Sequence, residues 1–160
     1  MVRHAIAEER GKKVFPNDDR PLTNTGIRKM NKNAHGMAKI IQAPTVIISS
    51  PLKRAYQTSE IVASKFHNIP SIVQSDDLLP ETTVQKIIQL CKKYSPQKEI
   101  MIVGHEPILG KFLSTILHQK KQSMYFKKGA ICGVDFFAAR RQKSELLFFI
   151  PPKVLRSLSR

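Results

Sequence analysis

Acidic residues, cysteine and tryptophan are scarce in this 160-residue chain. Twelve Asp and Glu stand against 27 Lys and Arg, which gives a formal net charge of +15, and tryptophan is absent. Two cysteines are too few for a disulfide framework, and neither has the nearby partner that a metal site requires. We therefore expect Cys91 and Cys132 to be buried reduced thiols, as is usual in a cytoplasmic protein.

Long apolar runs are missing as well. No run approaches the roughly 18 residues of a membrane span, and the first residues lack the apolar region of a signal peptide. These observations predict a cytoplasmic protein without a membrane partner. The length fits one domain, which we place at residues 1–150 and expect to be followed by a basic C-terminal tail at residues 151–160.

The excess of positive charge bears on partners rather than on the fold. A field of this sign speeds encounters with anions and permits non-specific binding to nucleic acid. Basic residues cluster at 28–39, 120–128 and 140–143, but few aromatic residues lie among them to stack on bases. We expect no specific nucleic-acid partner, and polyanion binding stays open as an alternative.

Short β-branched runs alternate with helical apolar patterns along the chain. Residues 45–49 and 99–103 read as buried strands, and residues 71–73 are a weaker candidate. Strand followed by helix, repeated, predicts an α/β three-layer sandwich with a mostly parallel central sheet and helices on both faces. Residues 130–137 and 145–150 predict a C-terminal hairpin at the sheet end, and we expect the tail beyond it to be frayed or to lie on the surface. The predicted helices carry these apolar positions: Ile27, Met30, Ala34, Met37 and Ile41; Ala55, Ile61, Val62 and Phe66; Val84, Ile87, Ile88 and Cys91; Leu109, Phe112, Leu113, Ile116 and Leu117.

Three short motifs follow predicted strands. Arg3-His4 follows the expected first strand, Ser50 to Arg54 follows the second, and Gly104-His105 follows a later one. Ligands of open α/β sheets bind outside the carboxyl ends of the strands, so these motifs are expected at one edge. A neutral imidazole can attack phosphorus, and guanidinium groups neutralise phosphoryl oxygens. The sequence therefore predicts a site for a tetrahedral phosphate dianion.

The motifs also resemble a known family. Arg3-His4-Ala5 resembles the Arg-His-Gly signature of the histidine phosphatase superfamily, which has a phosphoglycerate-mutase-like fold. The run from Ser50 to Thr58 resembles its second block, and Val103 to Pro107 resembles its third. Arg20-Pro21-Leu22-Thr23, with Gly26, resembles the segment that opens the first helix. The chain length and this last segment are similar to those of small SixA-type phosphohistidine phosphatases, which lack an inserted cap.

The resemblance implies a mechanism. His4 would attack phosphorus and become a phosphohistidine that water hydrolyses. Arg3 and Arg54 would bind the phosphoryl oxygens, and His105 would donate a further hydrogen bond to the transferring group. The implied partner is a phosphohistidine-containing protein or a small phosphorylated substrate, acted on without a metal or other cofactor. A monomer is the favoured oligomeric state.

Other residues are candidates with a structural alternative. Glu81 stands where larger relatives place a general acid, but a carboxylate there also suits the start of a helix. Arg20 is a candidate contact for phosphate or for a protein partner. Ser50 and Thr23 are expected to bind phosphate through their hydroxyls or to cap helices. Glu8 and Glu9 are expected in a solvated loop.

Two features depart from the family pattern. Ala5 replaces a glycine, and only Met1 and Val2 precede Arg3 where the family has a longer strand. We therefore expect either that the native chain starts upstream of Met1 or that the first strand is shortened and holds His4 less firmly. Two alternatives to a protein phosphohistidine phosphatase stay open: a phosphatase of small phosphoesters, and a degenerate phosphatase fold that binds nucleic acid or another polyanion.

Overall fold

Six strands form one sheet at the centre of the fold. The computed structural model describes residues 1–11, 15, 18–94, 99–138 and 143–159. In chain order the strands are β1 (Val2–Arg3), β2 (Val46–Ser49), β3 (Ser71–Gln74), β4 (Ile100–Gly104), β5 (Ile131–Ala138) and β6 (Lys143–Ile150). The helices are α1 (Asn24–Ala38), α2 (Lys53–Ala63), α3 (Val84–Lys93), α4 (Ile108–Ile116) and α5 (Pro152–Leu158), with a 3-10 turn at Asp76–Leu78.

The sheet is mostly parallel, as predicted. Its order is β3-β2-β4-β1-β5-β6. The first four strands in that order are parallel, and β5 is antiparallel to both β1 and β6. The last two strands form the predicted hairpin, although residues 139–142 of its connection lie outside the described residues.

Helices cover both faces of the sheet, which confirms the three-layer prediction. Ile47 of β2 lies in a core with α1, α2 and α5. Its neighbours Val46 and Ile48 lie in a second core with α3 and α4. Because successive side chains of a strand point to opposite faces, a strand covered on both sides must be apolar throughout. This explains why the strand read as a continuous apolar run.

Side chains satisfy amide groups at the starts of α1 and α2. Thr23 accepts a hydrogen bond from the amide of Gly26 at 2.9 Å and caps α1, the structural alternative that we predicted for it. Helix α2 follows Leu52, which has no capping side chain. There the carboxylate of Asp19 accepts from the amide of Lys53 at 2.6 Å. A residue distant in sequence thus stabilises the start of the helix that carries Arg54.

Strand β1 has two residues and lies between the longer strands β4 and β5. Val2 pairs with Val103 on one side and with Ile131 on the other. Beyond this pairing, the amino group of Met1 donates to the carbonyl of Cys132 at 2.8 Å. Short as it is, β1 therefore contacts a strand on each side.

The two cysteines are free and buried, as expected. Burial raises the pKa of Cys91 and of Cys132 to about 11. Both therefore stay protonated at neutral pH and pack as small apolar groups.

The tail at residues 151–160 was expected to be frayed or to lie on the surface; fraying was wrong, since residues 152–158 are helical. Residues 152–158 form α5, whose Leu155 is fully buried in the core with α1. At Gly36 a side chain would collide with the carbonyl oxygen of Leu155, so the glycine allows the close approach of the two helices. Arg156 donates to the buried side chain of Asn33 at 3.1 Å. The helix was not predicted because the tail is rich in basic residues and its packing against the core depends on one buried apolar residue, Leu155.

None of the helices in the described part of the chain combines the length and the apolar character needed to cross a membrane.

Candidate active site

The parallel topology brings the predicted motifs to one edge of the sheet. His4 directly follows the end of β1, Ser50 directly follows β2, and His105 directly follows β4. The rings of His4 and His105 lie with their centroids 4.9 Å apart. Their main chains are also joined, because the amide of His4 donates to the carbonyl of Gly104 at 3.0 Å.

The ring of His4 has a defined orientation and protonation. Its Nδ1 lies 2.7 Å from the carbonyl oxygen of Ala5. A carbonyl oxygen only accepts, so Nδ1 carries the proton and Nε2 keeps its lone pair. Burial lowers the pKa of His4 to about 3, and the positive charges of Arg54 and Arg3 add to this effect. At neutral pH the residue is therefore an uncharged imidazole with a free nucleophilic nitrogen.

His105 is also buried and neutral. Its Nε2 lies 2.9 Å from the hydroxyl of Ser50. Its Nδ1 is buried with no hydrogen-bond partner among the described residues. Burial, followed by the neighbouring His4 and Arg54, lowers the pKa of His105 to about 2. Ser50, a candidate phosphate contact, therefore orients His105 in this structure.

Arg3 is held by a segment from another part of the chain. Its Nη1 donates to the carbonyl of Phe126 at 2.6 Å. The carboxylate of Glu106 accepts from the amide of the same Phe126 at 2.6 Å and so holds that segment in place. Burial lowers the pKa of Arg3 and the charge of Glu106 opposes the shift. The Nε of Arg3 is buried and has no partner in the described part of the chain.

Arg54 lies in the first turn of α2, and its side chain is 3% exposed. Its Nη1 donates to the main-chain carbonyl of Asp18 at 2.7 Å, and its Nη2 lies 3.2 Å from the Asp18 carboxylate. Burial lowers the pKa of Arg54, and Asp18 opposes this shift. Its Nε, like that of Arg3, has no partner among the residues described.

Asp18 contacts two further arginines. Its carboxylate lies 2.7 Å from Nε of Arg20 and 3.2 Å from Nη2 of Arg10. The hydrogen bond from Arg20 is the largest of the effects that lower the pKa of Asp18, so its carboxylate is ionised at neutral pH. Arg20 also donates to the carbonyl of Glu8 at 2.7 Å. Arg20 was predicted to contact phosphate or a protein partner. In this structure it binds the carboxylate of Asp18 and the main chain at Glu8.

Of the remaining candidates, Glu81 is exposed in the turn before α3. Asp18 chiefly, and Glu81 more weakly, raise the pKa of Arg10, which places Glu81 on the Arg10 side of the site. Its role as a proton donor stays a prediction. Burial lowers the pKa of Lys128, and the charge of Glu9 opposes this shift.

Sequence reasoning missed the residues that orient the four central side chains. Asp18 stands two residues before Arg20, and Glu106 directly follows His105, so adjacency to a motif was the available signal. Thr58 lies one helical turn after Arg54 and donates to its carbonyl at 2.6 Å while accepting from the amide of Ala5 at 3.0 Å. This hydroxyl joins α2 to the segment that carries His4.

The site is suited to an anion. Arg3 Nε, Arg54 Nε and His105 Nδ1 are three of five buried side-chain nitrogen and oxygen atoms in the described residues that have no hydrogen-bond partner. Buried donors without acceptors are costly, and phosphoryl oxygens are suitable acceptors for them. The described residues contain no group of three His, Cys, Asp or Glu placed to hold a metal ion. Beside the neutral imidazole of His4, the site therefore presents the guanidinium groups of Arg3 and Arg54.

Comparison with known proteins agrees with this chemistry. The model of the histidine phosphatase superfamily (branch 1) matches residues 1–87, which include His4 and Arg54. The chain belongs to the histidine phosphatase superfamily. This confirms the predicted superfamily and with it the class of enzyme, a phosphatase. An uncharacterised protein of Picosynechococcus sp. is 31% identical to this histidine phosphatase over 162 aligned positions, which cover 97% of this chain and 96% of that one.

Solved structures share its fold at low sequence identity. The protein histidine phosphatase SixA complexed with tungstate superposes with a TM-score of 0.78 at 20% identity, covering 96% of each chain. The alpha-ribazole phosphatase of Shigella flexneri superposes with a TM-score of 0.73 at 15% identity, covering 94% of this chain and 95% of that one. The histidine phosphatase therefore has a SixA-like fold, which relatives with different substrates also use.

Proposed function

We propose that this histidine phosphatase is a cofactor-independent phosphohydrolase that dephosphorylates phosphohistidine on a protein through a phosphohistidine intermediate at His4. One observation carries the proposal. Three buried nitrogen atoms, on Arg3, Arg54 and His105, have no partner among the described residues and lie in the same site as His4, whose Nε2 lone pair is available. A phosphoryl group supplies the acceptors for all three donors and the electrophile for His4.

The reaction has two steps. In the first, Nε2 of His4 forms a bond to phosphorus as the bond from phosphorus to the leaving nitrogen breaks, and the released imidazole takes a proton from solvent. In the second, water attacks the phosphorus of the enzyme phosphohistidine. This step breaks the N–P bond, releases inorganic phosphate and restores neutral His4.

The surrounding side chains have distinct roles in both steps. Arg3 and Arg54 neutralise the phosphoryl oxygens and align phosphorus with Nε2 of His4. Neutral His105 donates from a ring nitrogen to a phosphoryl oxygen while Ser50 contacts the other nitrogen. Because these groups are held before substrate arrives, little reorganisation is needed as charge redistributes.

Two features support a phosphohistidine substrate on a protein. The imidazole of phosphohistidine is a good leaving group and does not need a strong acid, and Glu81 is exposed rather than buried beside His4. The formal charge of +15 also favours approach to an acidic protein surface. For an alkoxide leaving group, Glu81 is the proposed proton donor, so small phosphoesters require a residue that phosphohistidine does not.

A phosphohistidine-bearing protein labelled with radioactive phosphate tests the proposal. We expect rapid release of phosphate, transient label on His4 that alkali preserves and acid removes, and slower hydrolysis of phosphoserine and sugar phosphates. The variant His4→Ala should lose activity by about 10³-fold or more, because the nucleophile is absent. The matched control His35→Ala alters an exposed histidine of α1 and should retain full activity. Undiminished turnover by His4→Ala would falsify the assignment, and a preference for phosphoesters would favour the small-substrate alternative.

Polyanion binding is a second candidate because of one surface feature. A groove of about 630 Å³ lies at α1 and α5, and its lining includes Lys32, Lys65, Lys153 and Arg156. Duplex DNA on a column tests this candidate. It is supported if the wild-type protein is retained, and if both rising salt and the double variant Lys32→Gln with Lys153→Gln abolish that retention. Equal retention of wild type and variant would exclude the groove as its cause.

A further inference from the structure

The carboxylate of Asp18 contacts Arg54, where the proposed function requires the phosphoryl group of the substrate. Arg54 is the proposed phosphoryl ligand from α2, and two of its three nitrogen atoms contact Asp18. One contact is with the main-chain carbonyl at 2.7 Å and the other with the carboxylate at 3.2 Å. Two oxygens of one residue thus engage the guanidinium, as two oxygens of a phosphoryl group would.

The contact depends on an unusual backbone conformation. Asp18 has a φ of 56°, in the left-handed region that non-glycine residues adopt infrequently. This conformation allows the carbonyl and the carboxylate of the same residue to contact Arg54. Local strain of this kind persists when surrounding contacts stabilise it, and here Arg20 binds the carboxylate at 2.7 Å.

The carboxylate is partly accessible, whereas Arg54 is not. The side chain of Asp18 is 25% exposed and that of Arg54 is 3% exposed. An incoming anion therefore reaches the two Nη atoms of Arg54 by replacing Asp18, whereas Nε has no partner among the described residues and is available already. Asp18 retains two cationic partners after such a replacement, because Arg10 and Arg20 also bind its carboxylate.

We propose that Asp18 is an internal substitute for the phosphoryl group on Arg54, which competes with substrate and with product phosphate and so lowers the affinity of the site for both. This inference rests on the proposed function, since it assumes that Arg54 binds the phosphoryl group. When substrate binds, its oxygens replace Asp18 on Arg54. When phosphate leaves, Asp18 returns to Arg54, which limits inhibition by product.

If Asp18 has a purely structural role, the expected change in anion affinity has the opposite sign. If Asp18 served only to hold the guanidinium of Arg54 in place, removing its charge would leave Arg54 less ordered and weaken anion binding. If Asp18 competes, removing the charge strengthens anion binding. The sign of the change in dissociation constant therefore decides between the two roles.

The experiment measures the dissociation constants of tungstate and of inorganic phosphate by titration calorimetry. The variants Asp18→Asn and Asp18→Gly both remove the charge, and both new residues tolerate a positive φ, so the loop conformation is retained. We expect each to bind the two anions about three- to tenfold more tightly than wild type. Asp135→Asn makes the same charge change at an exposed position on β5 and should leave both constants unchanged.

Arg54→Gln separates the possible failures. If Arg54→Gln weakens anion binding but Asp18→Asn and Asp18→Gly bind with unchanged or lower affinity, the competition proposal is overturned and the proposed function stands. If Arg54→Gln leaves anion binding unaltered, Arg54 is not the phosphoryl ligand, and both are overturned. Thermal unfolding of each variant establishes that the compared proteins are folded.

Discussion

Each of the four central side chains (His4, His105, Arg3 and Arg54) is held by a contact with another residue, and for all but His4 that residue is distant in the sequence. The proton of His4 is placed by the carbonyl of Ala5, and the ring of His105 is oriented by Ser50. Arg3 is held by Phe126, which comes from a segment 123 residues away. At the scale of single residues, the four side chains that meet at one edge of the sheet were predictable from their residue types and order. Most of the groups that orient them were not, because these come from distant parts of the chain.

The two buried histidines predict a loss of stability in mild acid. In the unfolded chain a histidine has a pKa near about 6.5, whereas in the folded protein the pKa values of His4 and His105 are about 3 and about 2. Between these limits the unfolded state binds protons that the folded state does not, so stability falls as the pH drops below about 6.5. At pH 5 each histidine should lower the free energy of unfolding by about 2 kcal/mol relative to neutral pH.

Urea unfolding at pH 7.5 and pH 5.0 measures this effect. Between pH 7.5 and pH 5.0, the free energy of unfolding of the double variant His4→Asn with His105→Gln should fall by about 4 kcal/mol less than that of wild type. Asp18 does not contribute within the window, because its pKa is lowered and its stabilising charge is lost only in stronger acid. The variant His35→Asn, at an exposed position, should lose as much free energy of unfolding as wild type. An equal loss in the double variant would contradict the assignment of the effect to His4 and His105.

At the scale of elements, glycines set how closely the helices approach their neighbours. A side chain at Gly26 would collide with the carbonyl of Ile6, two residues after His4. A side chain at Gly36 would collide with the carbonyl of Leu155 in α5. Helix α1 therefore contacts the segment that carries the nucleophile near its first turn and the C-terminal helix near its last.

Gly36→Ala tests the contact between α1 and α5. In an exposed helix this substitution stabilises by about 1 kcal/mol, because alanine has the higher helix propensity. Here we expect a net destabilisation of about 1–3 kcal/mol, since the added methyl group meets backbone atoms that cannot yield without moving α5. Lys32→Ala, at an exposed position of the same helix, should change the free energy of unfolding by less than about 0.5 kcal/mol. A stabilised Gly36→Ala protein would show that α5 is not packed as described.

Strands and most helices could be predicted because their signals are local. The β-branched runs became β2 and β4, and Thr23 caps α1 as the pattern allowed. Helix α5 was missed because a single buried residue, Leu155, determines its packing. Asn33 was missed as a core residue because its side-chain oxygen and nitrogen bond with Arg156 and Gly129, which are remote in sequence.

At the scale of the whole molecule, the charge of +15 predicts a salt-dependent encounter with anionic substrates. Long-range attraction raises the association rate and is screened within about 8 Å at physiological ionic strength. Between about 20 mM and 200 mM salt we expect kcat/KM for an acidic phosphorylated protein to fall about tenfold.

Steady-state kinetics in increasing NaCl checks this prediction, with kcat as the internal control. Because kcat refers to substrate already bound beside Arg3 and Arg54, we expect it to change less than about twofold. Replacing exposed Lys120 and Lys121 with Gln should reduce the slope of kcat/KM against salt in proportion to the charge removed. A kcat/KM independent of salt would show that the net charge has no role in capture.

The sequence by itself determined the pattern of strands and helices up to the C-terminal hairpin, and it predicted His4, Arg3, Arg54 and His105 as the reactive residues. These depend on local periodicity and on residue types that follow strand ends, which are properties of short segments. Only the tertiary structure decided which proton His4 carries, what occupies Arg54, and how α5 packs. Those properties depend on burial and on hydrogen bonds between residues far apart in the chain, such as Asp18 with Arg54 and Glu106 with Phe126. Folding brings these pairs together at the edge of the sheet, where burial lowers the pKa of Arg54.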